Sequence, residues 1–359
     1  MLQDNYYLLG FFYVINLSLI FHNFKYEPIK LIISKSLSLD LVTIIYFFFA
    51  IVVFGFRDYN TGNDTLGYVM FYEELDITNF EKTAIELDYL FVALMIVCKY
   101  FFYLSTRSFL IVISLIYSSL LFTLIKKVFE KNYQTVILLY LCSFFFIALG
   151  TNIIRSSIAI VIWLWGIYFI FDNKKIYGIL LIIISIGFHF TGILVLLISI
   201  LSLVKISFRL LIIVLIISLI ISYNEINIFA FIPELDDVLR VTQKINSYSS
   251  NNDSNYKLGF RKEFVLLNLL FICWGIRFNN KNNELAVSYT RFFIYSSIVF
   301  FLCFNIPYSD RVGMQSWILI PFILILPYKE TKIPITVKII TLITAITMIS
   351  YVLISLNYS

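Results

Sequence analysis

Continuous apolar runs, separated by short turns that carry lysine and arginine, make up most of the chain. Runs of membrane-span length occupy 5–22, 39–56, 107–125, 133–149, 153–171, 287–306, 312–327 and 334–356. At about 20 residues per crossing, each predicts a transmembrane helix. The runs are unbroken rather than alternating, which argues against a transmembrane barrel. Three regions are ambiguous by length. The stretch 87–104 is interrupted by Lys99, 176–222 is too long for two helices and short for three, and 263–278 is closed by Arg277.

Charge resolves the ambiguity, because short cytoplasmic connections collect Lys and Arg. Basic turns stand at Lys25/Lys30/Lys35, Lys126/Lys127/Lys131, Lys174/Lys175, Lys205/Arg209, Arg277/Lys281 and Lys329/Lys332. All fall on one side under two conditions. The stretch 87–104 must lie along the membrane surface or re-enter it, and 176–222 must cross three times, breaking near Gly187–Gly192 and Lys205. The expectation is an all-α, polytopic membrane protein with about twelve transmembrane helices, one interfacial or re-entrant outer helix and a large outer loop. Both termini then face outside. Of the 22 acidic residues, Glu27, Asp40, Glu130, Asp172, Glu284 and Glu330 sit on the basic side, and the rest sit opposite, mostly in 57–86 and 223–262. Long loops are more often functional than short ones. The chain therefore reads as a single transmembrane domain, 1–359, whose segments 57–106 and 223–262 cap a chemically active extracytoplasmic face.

Composition adds exclusions. With 60% hydrophobic and 14% charged residues, too few polar side chains exist to cover a water-soluble globule. The net charge of +5 is spread in ones and twos, with no basic patch for nucleic acid. Cys98, Cys142, Cys273 and Cys303 lie in apolar stretches without CxxC spacing and read as small core residues. The first apolar run is preceded by Asp4 and by no basic residue. That is the wrong flank for a cleaved signal peptide, so a retained span is expected. The excess of Ile, Phe, Ser, Asn and Lys suits an AT-rich bacterial gene.

Candidate chemistry sits where polar residues meet the ends of apolar runs. Arg57 follows one run, with Gly62-Asn63-Asp64 and Tyr68 beyond it. A guanidinium there can bind an anion while the carboxylate orients a hydroxyl; an interfacial anchor and an ordinary turn fit the same spacing. Glu86 and Asp88 precede the presumed surface helix and read first as N-terminal caps, or else as cavity-lining carboxylates. Arg155 opens an otherwise apolar run, with Asn152 one helical turn earlier on the same face. An ionisable group there is costly unless it has a partner or a function. His189 lies in Gly187-Phe-His-Phe-Thr-Gly192, a break of the kind tolerated beside a cavity. It suits a proton acceptor or a hydrogen-bonded structural histidine. His22 reads as interfacial filler. Arg311, just after Asp310, begins another run, and the large outer loop carries Arg240, Lys244, Tyr248, Tyr256 and Arg261.

Arg57, Arg155, Arg261 and Arg311 thus put guanidiniums at the outer ends of different spans, a set suited to a diphosphate. No metal-ligand set, Walker loop, GxSxG or HExxH motif occurs in the sequence. These residues favour an extracytoplasmic reaction on a lipid-linked, pre-activated substrate, with no metal and no nucleotide.

The order Arg57…Gly62-Asn63-Asp64…Tyr68, Glu86-Leu-Asp-Tyr89, Asn152-Ile-Ile-Arg155-Ser-Ser-Ile-Ala159, Gly187-Phe-His189-Phe-Thr and Arg311 resembles the EpsG-like group over about residues 40 to 330. These are Wzy-type polymerases of O-antigen and exopolysaccharide repeat units. Gly-Asn-Asp stands where the family pattern has Gly-Thr/Val-Asp, which keeps the carboxylate. Ser156 stands where that pattern often has Gln, so it is not carried over as a contact. The resemblance implies a glycosyltransferase of the bacterial inner (cytoplasmic) membrane with its active site facing the periplasm. Donor and acceptor would both be undecaprenyl-diphosphate-linked glycans, polymerised into O-antigen or a related surface polysaccharide without a cofactor. Its other partners would be membrane lipids and a polysaccharide chain-length regulator. It implies Arg155 and Arg311, helped by Arg57 and Arg261, at the diphosphate, and Asn152 and Tyr68 at the substrate. His189 would be the base, with Asp64 or Glu86 as rivals. Two alternatives fit less well: an O-antigen ligase, which would carry a histidine in the late outer loop, and a lipid-linked oligosaccharide flippase, which would show related halves.

Overall fold

The computed structural model describes residues 30–32, 38–62, 64–204, 206–226, 259–278, 283–306, 309–329 and 331–357. Among these the protein is helical, apart from one antiparallel ladder pairing β1 (Lys30–Ile32) with β2 (Ser38–Asp40). Contacts divide the chain into two compact units, one drawn from 1–193 and 328–359 and the other from Leu194–Pro327.

The first unit opens with α1 (Leu41–Gly55), α2 (Thr65–Glu74), α3 (Phe80–Leu87) and α4 (Tyr89–Ile96), the last extended by a wide turn over Val97–Phe101. It continues through α5 (Thr106–Phe129), α6 (Tyr133–Leu141), α7 (Phe144–Thr151), α8 (Ile154–Phe171) and α9 (Lys175–Phe188). Helix α5 packs against α1 and α8, and α8 lies along α9. The α8–α9 contact is close because Gly166 and Gly178 face each other. A Cβ on Gly178 would come within 2.5 Å of the Gly166 carbonyl oxygen, the small-residue device by which apolar helices gain packing.

The segment between α1 and α5 is a packed layer of short helices. Tyr68, Tyr72, Leu87, Phe91 and Met95 form one buried cluster with Phe109 of α5 and Ile154 and Ile158 of α8. The Tyr72 ring stacks on Phe109 at 4.5 Å. Lys99 has a local use: its Nζ donates to the carbonyls of Tyr72, Glu73 and Leu75 at 2.9, 2.7 and 2.9 Å. Those groups lie at the C-terminal end of α2, where helical carbonyls lack partners of their own. The piece Tyr89–Phe101 is apolar but short, so its straight length of about 20 Å falls below the ~30 Å hydrocarbon core.

In the second unit lie α10 (Gly192–Leu203, its first two residues counted with the first unit), α11 (Phe208–Tyr223), α12 (Lys262–Phe278), α13 (Glu284–Leu302), α14 (Ser309–Trp317) and α15 (Ile320–Ile325). Buried Asn268 on α12 donates to the Ser297 and Ser316 hydroxyls (3.0 and 3.1 Å) and accepts from the Trp317 indole (3.1 Å). It thereby ties three helices together. The final helix, α16 (Ile335–Asn357), packs against α7 in the first unit.

The helices follow the apolar runs closely, and the long stretch 176–222 splits between α9 and α10 and again between α10 and α11, as the glycines and the position of Lys205 in the sequence suggest. The run 133–149 departs from the single straight span expected of it. It forms α6 and α7, bent by 68°, because the Ser143 hydroxyl donates to the Tyr140 carbonyl and accepts from the Phe146 amide, capping a new helix inside the apolar run. Among the described residues, four helical stretches are long and apolar enough to cross a membrane: Thr106–Phe129, Ile154–Phe171, Glu284–Leu302 and Ser309–Tyr328. Counting the bent pair makes five, and further apolar helices are 10–17 residues long. The run 5–22 and most of the large loop, 227–258, with Arg240, Lys244, Tyr248 and Tyr256, lie outside the described residues.

Candidate functional site

Three interruptions of helix meet in the first unit. The first is the Leu87–Tyr89 link between α3 and α4. The second is the Asn152–Ile153 break between α7 and α8, and the third is the 189–191 break after α9. Each delivers one charged or titratable side chain to the same point. Arg155, in the first turn of α8, donates from Nη1 to Asp88 Oδ2 at 3.0 Å. His189 Nδ1 lies 3.4 Å from that same oxygen. Arg155 Nε also donates to the buried Tyr68 hydroxyl at 3.2 Å. The side chains of Arg155 and Asp88 keep 15% and 17% exposure, and that of His189 only 3%. A charged pair with an edge to the outside therefore stands in front of a buried imidazole.

The backbone explains the meeting. Helix α9 approaches α4 through Gly187, where a Cβ would come within 2.6 Å of the Leu90 side chain. His189 then leaves the helix with extended dihedrals, φ −159° and ψ 125°. Asp88 has φ 69° and ψ 140°, a region that favours glycine and that other residues occupy only where the surroundings enforce it. Capping of α4 by its side chain, the use the sequence suggested first, does not occur. The carboxylate is turned to Arg155 instead. Sequence reasoning left Asp88 out of the candidate site: an aspartate before an apolar helix looks first like a cap, and its second reading, as a cavity-lining carboxylate, was given no partner.

Behind this node a second group is tied to it by backbone contacts. Asn152 and Arg155 do not share one helical face, because the helix breaks between them. Asn152 Oδ1 accepts instead from the Asp64 amide at 2.8 Å, and Thr65 Oγ1 donates to the Thr151 carbonyl at 2.7 Å. Gly62, at φ 79°, fits this contact because a Cβ would lie 2.9 Å from Asn152 Oδ1. Asp64 stands at the start of α2 without capping it by its side chain, and its charge acts on Arg155. The side chain of Glu86, near the end of α3, lies outside the described residues.

Arg57 is buried, at 7% exposure. It donates through Nη1 to the Phe54 carbonyl and through Nε to Thr65 Oγ1 at 3.3 Å. Among the described residues its Nη2 has no hydrogen-bond partner. Burial, with Arg107 adding like-charge repulsion and Tyr68 opposing both, brings its pKa down to about 10, so the charge persists at neutral pH. Arg57 also lines a mainly apolar cavity of about 310 Å³, with Phe49, Val53, Phe54, Ile147 and Thr151.

Arg261 and Arg311 belong to the second unit. Arg261 pairs through Nε with Glu263 at 3.0 Å and lies over the Phe264 ring at 4.3 Å, while Arg311 sits in the first turn of α14. Among the described residues no three His, Cys, Asp or Glu side chains are grouped to hold a metal ion.

The site's chemistry is that of a shared carboxylate, a guanidinium suited to phosphate oxygens and an imidazole suited to proton transfer. No curated protein and no solved structure matches the chain. The sequence model of the EpsG family matches residues 40–359, most of the protein, so the chain belongs to the EpsG family, an EpsG-like group of membrane polysaccharide polymerases.

Proposed function

We propose that this protein joins oligosaccharide repeat units carried on undecaprenyl diphosphate into a surface polysaccharide such as O-antigen, at the periplasmic face of the bacterial inner membrane. The observation that carries this reading is the convergence of Arg155, Asp88 and His189 at three helix breaks. Glycosyl transfer from a lipid diphosphate needs two things from a protein. Negative charge grows on the leaving phosphate, and a fixed cation stabilises it more in the transition state than before. The acceptor hydroxyl must also lose a proton as it attacks.

Arg155 supplies the cation and His189 the base, with Asp64 held near Arg155 to orient the acceptor. Tyr68 braces Arg155 from behind. The apolar cavity beside Arg57 suits the hydrocarbon end of a carrier, with the guanidinium nearest its phosphate. The contact with a chain-length regulator belongs to the same reading. The segregation of acidic residues away from the basic turns supports the periplasmic orientation and the pattern of about twelve spans.

Complementation of a strain lacking its own polymerase tests this, scored by the ladder of polysaccharide lengths. Arg155→Ala and His189→Ala each lower polymer by about a hundredfold or more. Unchanged ladders with Arg155→Ala end the diphosphate assignment. Unchanged ladders with His189→Ala remove the histidine as base.

A further inference from the structure

Two arginines meet at the end of helix α1. Gly55 closes its last turn, and a Cβ there would come within 2.7 Å of Ile111 on α5, so the absent side chain lets the two helices approach. Arg107 lies one turn before Ile111, at the head of α5. Its Nη1 donates to the Gly55 carbonyl at 3.4 Å and to the Arg57 carbonyl, and its guanidinium lies over the Tyr59 ring at 4.4 Å. Arg57 itself donates to the Phe54 carbonyl and to Thr65 Oγ1. These contacts cap the carbonyl end of α1, where cations are favoured. They do not account for two cations. A helix C-terminus carries about half a negative charge, and each arginine brings a whole positive one. Among the described residues neither arginine forms an ion pair. Asp58, next in sequence, is exposed and accepts from the Asn60 amide at 3.0 Å. The charge of Arg107 joins burial in lowering the pKa of Arg57, so the two guanidiniums repel.

The surplus charge stands beside an apolar space. Arg57 is 7% exposed, its Nη2 lacks a hydrogen-bond partner among the described residues, and it lines the cavity of about 310 Å³. Val53 and Phe54 of α1 and Phe146 and Ile147 of α7, just past the bend at Ser143, supply much of the wall. At about 30 Å³ per water-sized group, the space holds about ten such groups, or about two isoprene units. A buried cation without a counter-ion is costly to keep, and a phosphate oxygen relieves that cost. We propose that Arg57, Arg107 and this cavity form a seat for the tail-side phosphate of a polyprenyl-linked substrate, distinct from the Arg155 node. The first isoprene units fill the cavity, and the phosphate next to them takes Arg57 Nη2 and the Arg107 guanidinium.

The seat deepens the carrier-lipid reading and rests on it. It gives the two phosphates of the carrier different work. The sugar-side phosphate is the leaving group, and in that reading its growing charge meets Arg155. The tail-side phosphate keeps its charge throughout, so its contacts hold substrate and transition state alike and raise affinity without raising the rate of the chemical step.

Undecaprenyl monophosphate is the probe that separates the two, because its one phosphate is the tail-side phosphate. Native mass spectrometry of the full-length protein, titrated with this lipid, reads the affinity. Arg57→Gln and Arg107→Gln each weaken binding by about tenfold or more, and Arg155→Gln leaves it unchanged. Val53→Trp narrows the cavity with both arginines intact and weakens binding by about tenfold too; it carries the test if an arginine variant does not fold. Excess phosphatidylglycerol leaves the probe bound. Displacement by phosphatidylglycerol makes this a site for bilayer lipid at large and overturns the proposal. Binding that ignores both arginines and Val53→Trp, or that falls only with Arg155→Gln, overturns it as well. These outcomes leave the carrier-lipid reading standing, because undecaprenyl diphosphate and Arg155 test that separately. Failure of the wild-type protein to bind undecaprenyl diphosphate overturns both. In polymerisation, Arg107→Gln raises KM by about tenfold with kcat unchanged. A fall in kcat at saturating substrate would place Arg107 at the reacting centre and overturn the division between the two phosphates.

Discussion

At Asn268 in the second unit, a neutral amide meets two hydroxyls and an indole at 3.0–3.1 Å. Those hydroxyls go on to backbone carbonyls of their own helices, Phe293 and Gly313. At Asp88 in the first unit, one charged oxygen is divided between an arginine and a histidine on a backbone conformation that disfavours aspartate. Both nodes fasten three elements. Buried polar groups that are satisfied by neutral partners rigidify a structure. A charge in an apolar setting, shared between two partners on a strained backbone, is costly to keep unless a function retains it. The contrast separates polarity used for packing from polarity kept for a ligand.

The largest effect that would break this contrast falls on the neutral node. Asn268→Leu removes three hydrogen bonds and leaves the Trp317 indole without its acceptor in an apolar interior. The expected loss is about 2–3 kcal/mol of stability, measured by SDS-induced unfolding in mixed micelles. Polymer formed per folded molecule stays near wild type. A stable but inactive Asn268→Leu protein would erase the distinction between the two nodes.

A smaller effect is expected at Gly62, which joins the turn after Arg57 to Asn152. Gly62→Ala forces a Cβ to 2.9 Å from Asn152 Oδ1 and puts alanine at φ 79°. The cost is about 1–2 kcal/mol, accompanied by weaker polymerisation as Asn152 is pushed from the Asp64 amide. Gly62→Asn separates the two causes, since asparagine tolerates positive φ but still carries the Cβ. If it matches glycine in both assays, the contact with Asn152 is idle.

What could be read from the sequence follows the same division. Helix positions were legible because apolar runs bounded by Gly, Ser or Lys mark helices whatever they pack against, and so the break at His189 and the one between α10 and α11 showed. The bend at Ser143 did not. Serine inside an apolar run back-bonds a straight helix as readily as it caps a new one, and only neighbours decide. Arg155, His189, Asp64 and Asn152 stood out because polar residues at the ends of apolar runs are costly. Their partners were not legible. The carboxylate that meets Arg155 comes from the link between two short helices, 67 residues earlier in the chain, and no spacing rule links the two. Asn152 and Arg155 looked like neighbours on one face because a helical period was assumed across a break.

The smallest effect isolates the strain at Asp88 from its charge. Asp88→Ala and Asp88→Gly both remove the Asp88 carboxylate, so both lose the same ion pair with Arg155. They differ only in how the new residue takes φ 69° and ψ 140°. Alanine resists that conformation and glycine accepts it. The glycine variant is therefore expected to be more stable than the alanine variant by about 1 kcal/mol, although glycine at an unstrained position costs a protein stability through its freer unfolded chain. Unfolding of the two proteins side by side in mixed micelles measures the difference. Equal stabilities, or a more stable alanine variant, would mean that the backbone at Asp88 relaxes freely once the carboxylate is gone. The link between α3 and α4 would then be shaped by the ion pair with Arg155. The opposite result makes the link a fixed mount that holds the carboxylate beside Arg155 and His189 whatever the charge there.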